Sequence, residues 1–269
     1  MIGIFGLGFV GNALKKSFES KNIKVIGYDK FKESDEFKDI LKTDIVFLCL
    51  PTQFDEQKNE YDKSCIEEIS QNLEENNYLG IVVIKSTVEP LTTKKLGEKY
   101  KTLKFVHNPE FLTARTAFED FHNQKHIVLG KSENISEKEL LVLSNFYKTN
   151  YPDAEISICN STESESMKSF VNCFYAVKVQ FFTELYCLCE KNGSDYNVIK
   201  NLMLKNGWIN PMHTIIPGPD GQISYGGYCF PKDTNALLQY MKNENSPSAI
   251  MEACIKERNE MRNDNVNIK

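Results

Sequence analysis

The stretch IGIFGLGFVG occupies residues 2–11 and decides how the first half of the chain folds. A short apolar run leads directly into three glycines, Gly6, Gly8 and Gly11, with the spacing of the turn that binds the diphosphate of a dinucleotide. Gly6 permits the tight turn, Gly8 lets the diphosphate approach the backbone, and Gly11 lets the next helix pack closely. The amino end of that helix then offers backbone N–H groups to the phosphates.

A second apolar run follows and ends at Asp29. A carboxylate at this point is expected to bind the ribose hydroxyls and to repel a 2′-phosphate, which favours NAD over NADP. Lys30 beside it weakens that preference. The sequence therefore predicts an NAD site, whose first part is formed by Gly6, Gly8, Phe9, Val10, Gly11 and Asp29.

Apolar runs of strand length alternate with polar segments of helical periodicity through the first part of the chain. The strand-like runs are residues 2–5, 24–28, 45–50, 81–84, 104–106, 127–129 and 155–159. The helical segments include residues 62–76 and 92–100. This alternation predicts right-handed crossovers and a mostly parallel sheet. We expect an α/β domain of the doubly wound Rossmann type at residues 1–160.

The pattern changes after Asn160. A segment without Pro or Gly runs from Ser161 to about residue 189, and its apolar residues recur at the helical period of about 3.6. The remaining segments are predicted helices at residues 197–204 and 234–241, a Pro/Gly-rich loop at 211–227, and a polar tail expected to fray at 258–269. The second domain, residues 161–269, is therefore predicted to be all-α with one long central helix.

Composition argues against several classes of protein. The net charge of -5 argues against a nucleic-acid-binding protein, which would be expected to be basic. The longest apolar run, residues 45–50, is too short to span a membrane. The first residues already form a core strand, so we expect no signal peptide and a cytoplasmic location. The eight cysteines are expected to be reduced, and none shows the spacing with His that a zinc site needs, so no metal is expected.

A second informative stretch, GGYCFPKD, lies at residues 226–233. It places a thiol, an ammonium group and a carboxylate close together, on Cys229, Lys232 and Asp233. In the predicted long helix, Lys168 and Asn172 are four residues apart and share one face, which suits two donors to a single oxygen. A dinucleotide site combined with a reactive cysteine indicates oxidation through a covalent sulfur intermediate.

With these motifs the chain resembles the UDP-glucose/GDP-mannose dehydrogenase family of nucleotide-sugar dehydrogenases. The resembling segments occur in family order across nearly the whole chain, at residues 6–11, 50–52, 85–90, 108–112, 165–172 and 226–233. The resemblance implies an NAD-dependent oxidoreductase of polysaccharide biosynthesis. It would oxidise the C6 alcohol of a nucleotide sugar, here expected to be UDP-glucose, to a carboxylate with two NAD and one water.

The resemblance implies a catalytic set made up of Cys229, Lys168, Asn172, Asp233, Thr87 and Glu110. The cysteine matches the nucleophile that forms a thiohemiacetal and then a thioester, and the lysine is expected to favour its thiolate form. Lysine and asparagine match the groups that stabilise the developing oxyanion. The aspartate matches the carboxylate that orients a water and partners the lysine. The threonine matches the residue that holds this water, and the glutamate matches the one that helps it attack the thioester.

The resemblance also implies contacts to the bound molecules. Further cofactor contacts are implied for Pro51, Thr52 and Thr87. Substrate contacts are implied for Phe111, Leu112, Lys168, Asn172, Tyr225 and Gly226. Relatives form a dimer through the long helix, which predicts a homodimer here.

Two features depart from the family pattern. The family's second glutamate is replaced by Ala114, and the neighbouring Arg115 is either a phosphate contact or a surface arginine. Relatives carry a third, C-terminal Rossmann-like domain that grips the nucleotide diphosphate, whereas this chain reads to Lys269, so we expect a shortened form of the family. The loop at residues 215–221 is either part of nucleotide recognition or a plain surface turn.

Two other functions are compatible with the same motifs. One is a two-electron 3-hydroxyacid dehydrogenase of the 6-phosphogluconate dehydrogenase type, which needs no nucleophilic thiol. The other is a catalytically impaired NAD-binding module. The joint presence of the six catalytic residue types argues against the second.

Overall fold

The computed structural model describes residues 1–262 and Asp264. In chain order its strands are β1 Ile2–Phe5, β2 Val25–Tyr28, β3 Ile45–Leu48, β4 Phe54–Asp55, β5 Glu60–Tyr61, β6 Ile81–Ile84, β7 Lys104–His107, β8 His126–Lys131 and β9 Glu155–Asn160. Its helices are α1 Phe9–Ser20, α2 Phe37–Ile40, α3 Ser64–Glu75, α4 Thr92–Lys99, α5 Ala117–His122, α6 Glu137–Asn150, α7 Ser161–Asn192, α8 Tyr196–Lys205, α9 Phe230–Asn243 and α10 Ala249–Met261.

Packing divides the chain into two compact units. The first comprises Met1–Thr52 and Asp62–Lys168, and the second comprises Gln53–Tyr61 and Ser169–Lys269. The second unit thus takes a short segment from the middle of the Rossmann sequence. The predicted domains, residues 1–160 and 161–269, differ from these units, and the domain assignment stays a prediction.

The first unit contains a seven-stranded sheet in the order β2-β1-β3-β6-β7-β8-β9. The strands are parallel except for the pair β7 and β8, which is antiparallel. All seven predicted strand-like runs form these strands. The predicted fold class, a mostly parallel sheet followed by a helical region with a long helix, is therefore confirmed.

The core of the first unit lies on both faces of this sheet, because successive strand residues point to opposite sides. In β3, Phe47 packs into one apolar cluster, whereas Val46 and Leu48 pack into the other. Phe18 of α1 is fully buried against the rings of Phe47 and other aromatic residues. Continuous apolar strands of this kind require helices on both faces, which is what the alternating sequence pattern predicts.

The second unit is helical apart from the hairpin of β4 and β5. It contains most of α7 together with α8, α9 and α10. Its apolar clusters are small; one of them joins Cys173 of α7 to Leu237 of α9 and Met251 of α10. The hairpin was not predicted, since strands of two residues carry no periodic signal.

The predicted frayed tail is wrong where the structure describes it. Helix α10 continues to Met261, and the side chains of Arg258 and Arg262 are buried. They are held there because their guanidinium groups bind backbone carbonyls and the carboxylate of Asp264. Residues 263 and 265–269 of the predicted tail lie outside the described residues.

In the described part of the chain, no helix combines the length and the apolar character needed to cross a lipid bilayer. A cytoplasmic location stays a prediction. All eight cysteines are reduced thiols, and Cys173, Cys189 and Cys254 are buried.

A buried carboxylate fixes the beginning of α7 within the first unit. Glu165 is fully buried, and its Oε1 accepts a hydrogen bond of 2.7 Å from the backbone N–H of Thr93, in the first turn of α4. Among the described residues, its Oε2 has no hydrogen-bond partner. Burial raises the pKa of Glu165 to about 7 from its ordinary value of 4.5.

The raised pKa makes the stability of this unit depend on pH. The folded protein binds the Glu165 proton more tightly than the unfolded chain does, so this contribution is complete below about pH 4.5 and is lost as the pH rises through about 7. Glu165→Gln keeps an acceptor for Thr93 and removes the titration. We expect the variant to gain up to about 3 kcal/mol of unfolding free energy relative to the wild type between pH 5 and pH 7.5.

Urea unfolding at the two pH values measures this difference. Glu163→Gln is the matched control, since Glu163 is an exposed carboxylate on the same turn of α7. A Glu165→Gln variant whose stability relative to the wild type is the same at both pH values would contradict the assignment.

Candidate active site

In the first unit, the glycine turn joins β1 to α1 at the carboxyl end of the sheet. Gly6 has a positive φ of 86°, and a Cβ there would lie 2.4 Å from the carbonyl oxygen of Cys49. A Cβ on Gly11 would lie 1.8 Å from the carbonyl oxygen of Gly6. Both positions therefore require glycine, Gly6 because the chain after β3 passes close to it and Gly11 because α1 packs closely on the turn after β1. Gly8 is different, because a Cβ there would meet no protein atom within 4 Å.

The open space beside Gly8 fits the diphosphate of NAD. Gly8 is the residue that precedes α1, so the helix presents its amino end, with its N–H groups and positive dipole, at this point. Phe9, the first residue of α1, is exposed, and Val10 is half-buried. A surface with room for a ligand next to a helix amino end is what a bound diphosphate needs.

Asp29 lies directly after β2, beside the glycine turn. Its carboxylate accepts hydrogen bonds from the N–H of Leu7 at 2.8 Å and from the N–H of Phe31 at 3.0 Å. The ammonium group of Lys32 donates to the carbonyl oxygen of Leu7 at 2.5 Å. These contacts hold Asp29 against the turn, where a carboxylate can bind ribose hydroxyls.

The remaining predicted cofactor residues follow β3 and β6, which are neighbouring strands. The Oγ1 of Thr52 donates to the carbonyl oxygen of Thr87 at 2.8 Å. The hydroxyl of Ser86 donates to the carbonyl oxygen of Leu50 at 2.7 Å. The structure thus ties together the segments around Pro51 and Thr87, at the carboxyl ends of parallel strands, where such sheets bind their ligands.

Glu110 and Lys168 form a buried ion pair in the first unit. Their charged atoms lie 3.2 Å apart, with side-chain exposures of 11% and 5%. Glu110 also accepts a hydrogen bond of 2.6 Å from the N–H of Leu112, and the ammonium group of Lys168 lies 5.3 Å from the ring centre of Phe111. Four predicted site residues therefore come together here.

A second buried lysine, Lys85, binds the segment that leads into Glu110. Lys85 donates to the side-chain oxygen of Asn108 at 3.1 Å and to the carbonyl oxygen of Pro109 at 3.2 Å. The hydroxyl of Tyr147 also donates to the side chain of Asn108, at 2.5 Å. Burial lowers the pKa of Lys85 to about 8. Sequence reasoning did not assign a role to Lys85, although it stands inside one of the family segments.

In the second unit, Cys229 is exposed and immediately precedes α9. Pro231 stands in the first turn of this helix, where its missing N–H costs nothing. Cys229 therefore stands at the amino end of α9, where the positive end of the helix dipole lies.

Asp233 lies one turn into α9 and is fully buried. Its Oδ2 accepts from the amide of Asn172 at 2.6 Å. Its Oδ1 accepts from Lys232 at 2.6 Å and from the hydroxyl of Tyr61 at 2.5 Å. The pairing of Asp233 with Asn172 joins two predicted catalytic residues, whereas Tyr61 is a partner that sequence reasoning missed.

The loop before Cys229 is held by the two buried arginines of the C-terminal helix. Arg258 donates to the carbonyl oxygen of Tyr225 at 3.1 Å, and Arg262 donates to that of Ser224 at 3.2 Å. A Cβ on Gly226 would lie 2.3 Å from the guanidinium of Arg262, so this glycine makes room for the arginine. Tyr225, a predicted substrate residue, is itself buried.

One of the two departures from the family pattern, Ala114, lies on the surface of the first unit. Ala114 begins a short 3-10 turn, Ala114–Thr116, and both Ala114 and Arg115 are exposed. Among the described residues, no cluster of three or more His, Cys, Asp or Glu could hold a metal ion.

A Rossmann-type sheet with a glycine turn before α1 is the arrangement that dinucleotide-binding proteins use. Comparison with known families then identifies the chain further. Residues 29–150 match the NAD-binding domain of the UDP-glucose/GDP-mannose dehydrogenase family, and residues 162–260 match the central domain of the same family. The chain belongs to this family of NAD-dependent oxidoreductases, as its motifs predict.

Individual relatives agree with this placement. The UDP-glucose 6-dehydrogenase of Campylobacter jejuni is 32% identical over 226 residues, which cover 81% of this chain and 53% of the relative. That of Rickettsia bellii is 32% identical over 251 residues, covering 88% and 54%. The chain thus spans about half the length of the curated relatives it matches. The solved UDP-glucose dehydrogenase of Pyrobaculum islandicum has the same fold, with a TM-score of 0.84 at 23% identity over 96% of this chain and 68% of the other.

Substitutions at Gly8 and at Gly11 should have different effects, the first on cofactor binding and the second on folding. Gly8→Ala should leave the unfolding free energy within about 0.5 kcal/mol of the wild type, because the new methyl group meets open space. It should weaken NAD binding at least about tenfold, since the methyl group would lie where the diphosphate approaches. Gly11→Ala should instead destabilise the fold by several kcal/mol, on the order of a severe core clash.

Calorimetric titration with NAD and urea unfolding distinguish the two effects. An unchanged NAD affinity in Gly8→Ala would show that the diphosphate lies elsewhere.

Proposed function

We propose that this chain catalyses the NAD-dependent oxidation of the C6 alcohol of UDP-glucose to the carboxylate. Membership of the dehydrogenase family supports a nucleotide sugar as substrate, and the names of the curated relatives support UDP-glucose. The observation that carries the proposal is the arrangement around Cys229 and Asp233 in the second unit. An exposed cysteine at the amino end of α9 stands one turn before a buried aspartate that is held by the amide of Asn172.

Cys229 is the proposed nucleophile. The first oxidation turns the C6 alcohol into an aldehyde, and the thiolate of Cys229 adds to it to give a thiohemiacetal. Loss of hydride from this adduct leaves a thioester, and water then releases the carboxylate and restores the thiol. NAD, one molecule for each oxidation, would supply the acceptors for the two hydrides. Because the intermediate stays attached to sulfur, one site performs both oxidations.

The buried polar residues would stabilise the charges that arise during this reaction. Lys168 and Asn172, one turn apart on α7, can stabilise the developing oxyanion by charge-assisted hydrogen bonds. Glu110 is held by Lys168 and by the N–H of Leu112, which aligns one carboxylate oxygen for the hydrolytic water. Asp233 would accept a proton from the alcohol or from a water.

The stoichiometry of the reaction tests the proposal. With UDP-glucose in limiting amount, we expect two NADH for each sugar consumed, measured by absorbance, and a covalent adduct on Cys229 detected by mass spectrometry. Cys229→Ser should lose steady-state formation of the carboxylate by at least about a thousandfold, because an alcohol is a far weaker nucleophile than a thiolate.

The same experiment separates the alternatives. One NADH per sugar with an active Cys229→Ser variant would indicate a two-electron dehydrogenase. NAD binding without turnover of UDP-, GDP- or TDP-sugars would indicate a module without activity. Turnover of another nucleotide sugar but not of UDP-glucose would correct the substrate alone.

The second half of the proposal concerns the oligomeric state. Phe174, Phe181 and Leu188 follow one another at seven-residue intervals on α7, and all three are more than half exposed. Phe170 extends the same stripe, beside a groove of about 550 Å³ that is lined mainly by apolar side chains. An exposed apolar stripe of this length favours burial against another protein surface. A homodimer through α7 is therefore part of the proposed function.

Changing the stripe should dissociate the dimer. Phe181→Glu places a charge in the middle of the apolar surface, and we expect at least about a hundredfold weaker association. Light scattering coupled to gel filtration measures the mass. Leu79→Glu, at an exposed apolar position in the first unit, is the control and should remain dimeric. A monomeric wild type at micromolar concentration would exclude the homodimer.

A further inference from the structure

The hydroxyl of Tyr61 is fixed on the carboxylate of Asp233. The donor and acceptor oxygens lie 2.5 Å apart, although the two residues are 172 positions apart in the chain. Tyr61 is 1% exposed and Asp233 is fully buried. The contact lies wholly within the second unit, because the hairpin that carries Tyr61 belongs to that unit.

The hairpin of β4 and β5 holds the whole ring of Tyr61 in place. Strands β4 and β5 pair antiparallel with Phe54 opposite Tyr61, and both rings pack with Ala236 of α9 in one small apolar cluster. The ammonium group of Lys232 lies 4.6 Å from the centre of the Tyr61 ring, in a cation–π contact. Since the ring is held from several sides, the phenol oxygen has little freedom to leave Asp233.

The turn of the hairpin is also fixed. The carboxylate of Asp55 accepts from the N–H groups of Gln57 and Lys58 at 2.9 and 3.1 Å. Asn59 has a φ of 55°, a left-handed conformation that asparagine tolerates better than most residues. A closed turn on a two-residue ladder holds β5, and therefore Tyr61, in one register.

A buried carboxylate needs donors to compensate for lost water. Asp233 has three: the hydroxyl of Tyr61 and the ammonium of Lys232 on Oδ1, and the amide of Asn172 on Oδ2. Two donors bind the same oxygen, Oδ1, and this fixes the rotation of the carboxylate. The directions of its remaining lone pairs are therefore fixed as well. A proton acceptor acts well only when it is held in a defined orientation.

We propose that Tyr61 is a positioning residue of the active site, which acts by orienting the carboxylate of Asp233. This inference rests on the proposed function, in which Asp233 accepts a proton from the alcohol or from a water. Tyr61 itself does not enter the reaction. Among the described residues, the other charged or titratable groups on this carboxylate and its backbone are Lys232 of α9 and Cys173 of α7, and neither changes in the test below.

Tyr61→Phe removes the hydroxyl and keeps the ring. We expect kcat to fall about tenfold, the loss of one hydrogen bond to a charged group, while KM for UDP-glucose changes less than about twofold. Such a split between kcat and KM is the mark of a group that acts on the chemical step and not on substrate binding.

Tyr196→Phe is the matched control. The hydroxyl of Tyr196 donates to the carbonyl oxygen of Thr214 at 2.8 Å, and the residue is 4% exposed in the same unit. Its loss removes a buried tyrosine hydrogen bond to a neutral carbonyl, so it should lower the melting temperature and leave kcat unchanged. Equal kcat values in the two variants would overturn the inference while leaving the proposed function intact.

A crystal structure of Tyr61→Phe gives a readout that does not depend on turnover. We expect the Asp233 carboxylate to rotate or to recruit a water at the vacated position. If it keeps its orientation and its contacts to Asn172 and Lys232, Tyr61 does not position it, whatever the kinetics show. If the wild type oxidises no nucleotide sugar, the proposed function fails, and this structure still decides whether Tyr61 orients Asp233.

Discussion

The buried carboxylate of Asp233 joins three segments of the second unit. Transfer of a carboxylate from water into a protein interior is costly unless hydrogen bonds replace its hydration. Here the donors come from three separate segments: Tyr61 on the hairpin, Asn172 on α7 and Lys232 on α9. The requirement explains why a short hairpin from the middle of the chain packs with the helices, since without it Oδ1 would lose one of its donors.

The first unit contains a buried cation, which is also held by hydrogen bonds in place of its hydration. Lys85 is buried, and its two oxygen partners come from Asn108 and Pro109, the residues that lead into Glu110. Burial lowers its pKa to about 8, so the charged form is held at a cost that these hydrogen bonds offset. The glutamate that follows is paired in turn with Lys168. In each unit, therefore, a buried ionic group is held by partners that include or adjoin predicted site residues.

The features that the sequence predicts well are local ones. Apolar runs predicted the strands, the glycine spacing predicted the turn before α1, and helical periodicity predicted the long helix. These signals are readable because periodicity and backbone freedom are properties of neighbouring residues. Helix α6 was missed although its start carries a capping box, Ser136 with Glu139, that could have found it. The roles assigned to the individual site residues stay predictions, even where the structure brings those residues into contact.

The contacts that sequence reasoning missed join distant segments. Tyr61 gave one weak signal, an aromatic residue after the polar residues 55–60, but nothing in its neighbourhood points to Asp233. Arg258 and Arg262 gave a misleading signal, since a polar tail is more often frayed than buried. A guanidinium can be buried when its planar donors meet carbonyls and carboxylates, and that arrangement exists only once the chain has folded.

These arginines also show why a motif does not by itself define an active site. The loop before Cys229 contains Ser224, a buried residue with a φ of 61°, a conformation that costs free energy for any residue with a side chain. Such a conformation persists only where contacts hold it. Here the N–H of Ser224 donates to Thr183 of α7, and its carbonyl oxygen accepts from Arg262. The path of the chain into the nucleophile is thus set by residues far from the cysteine motif in sequence.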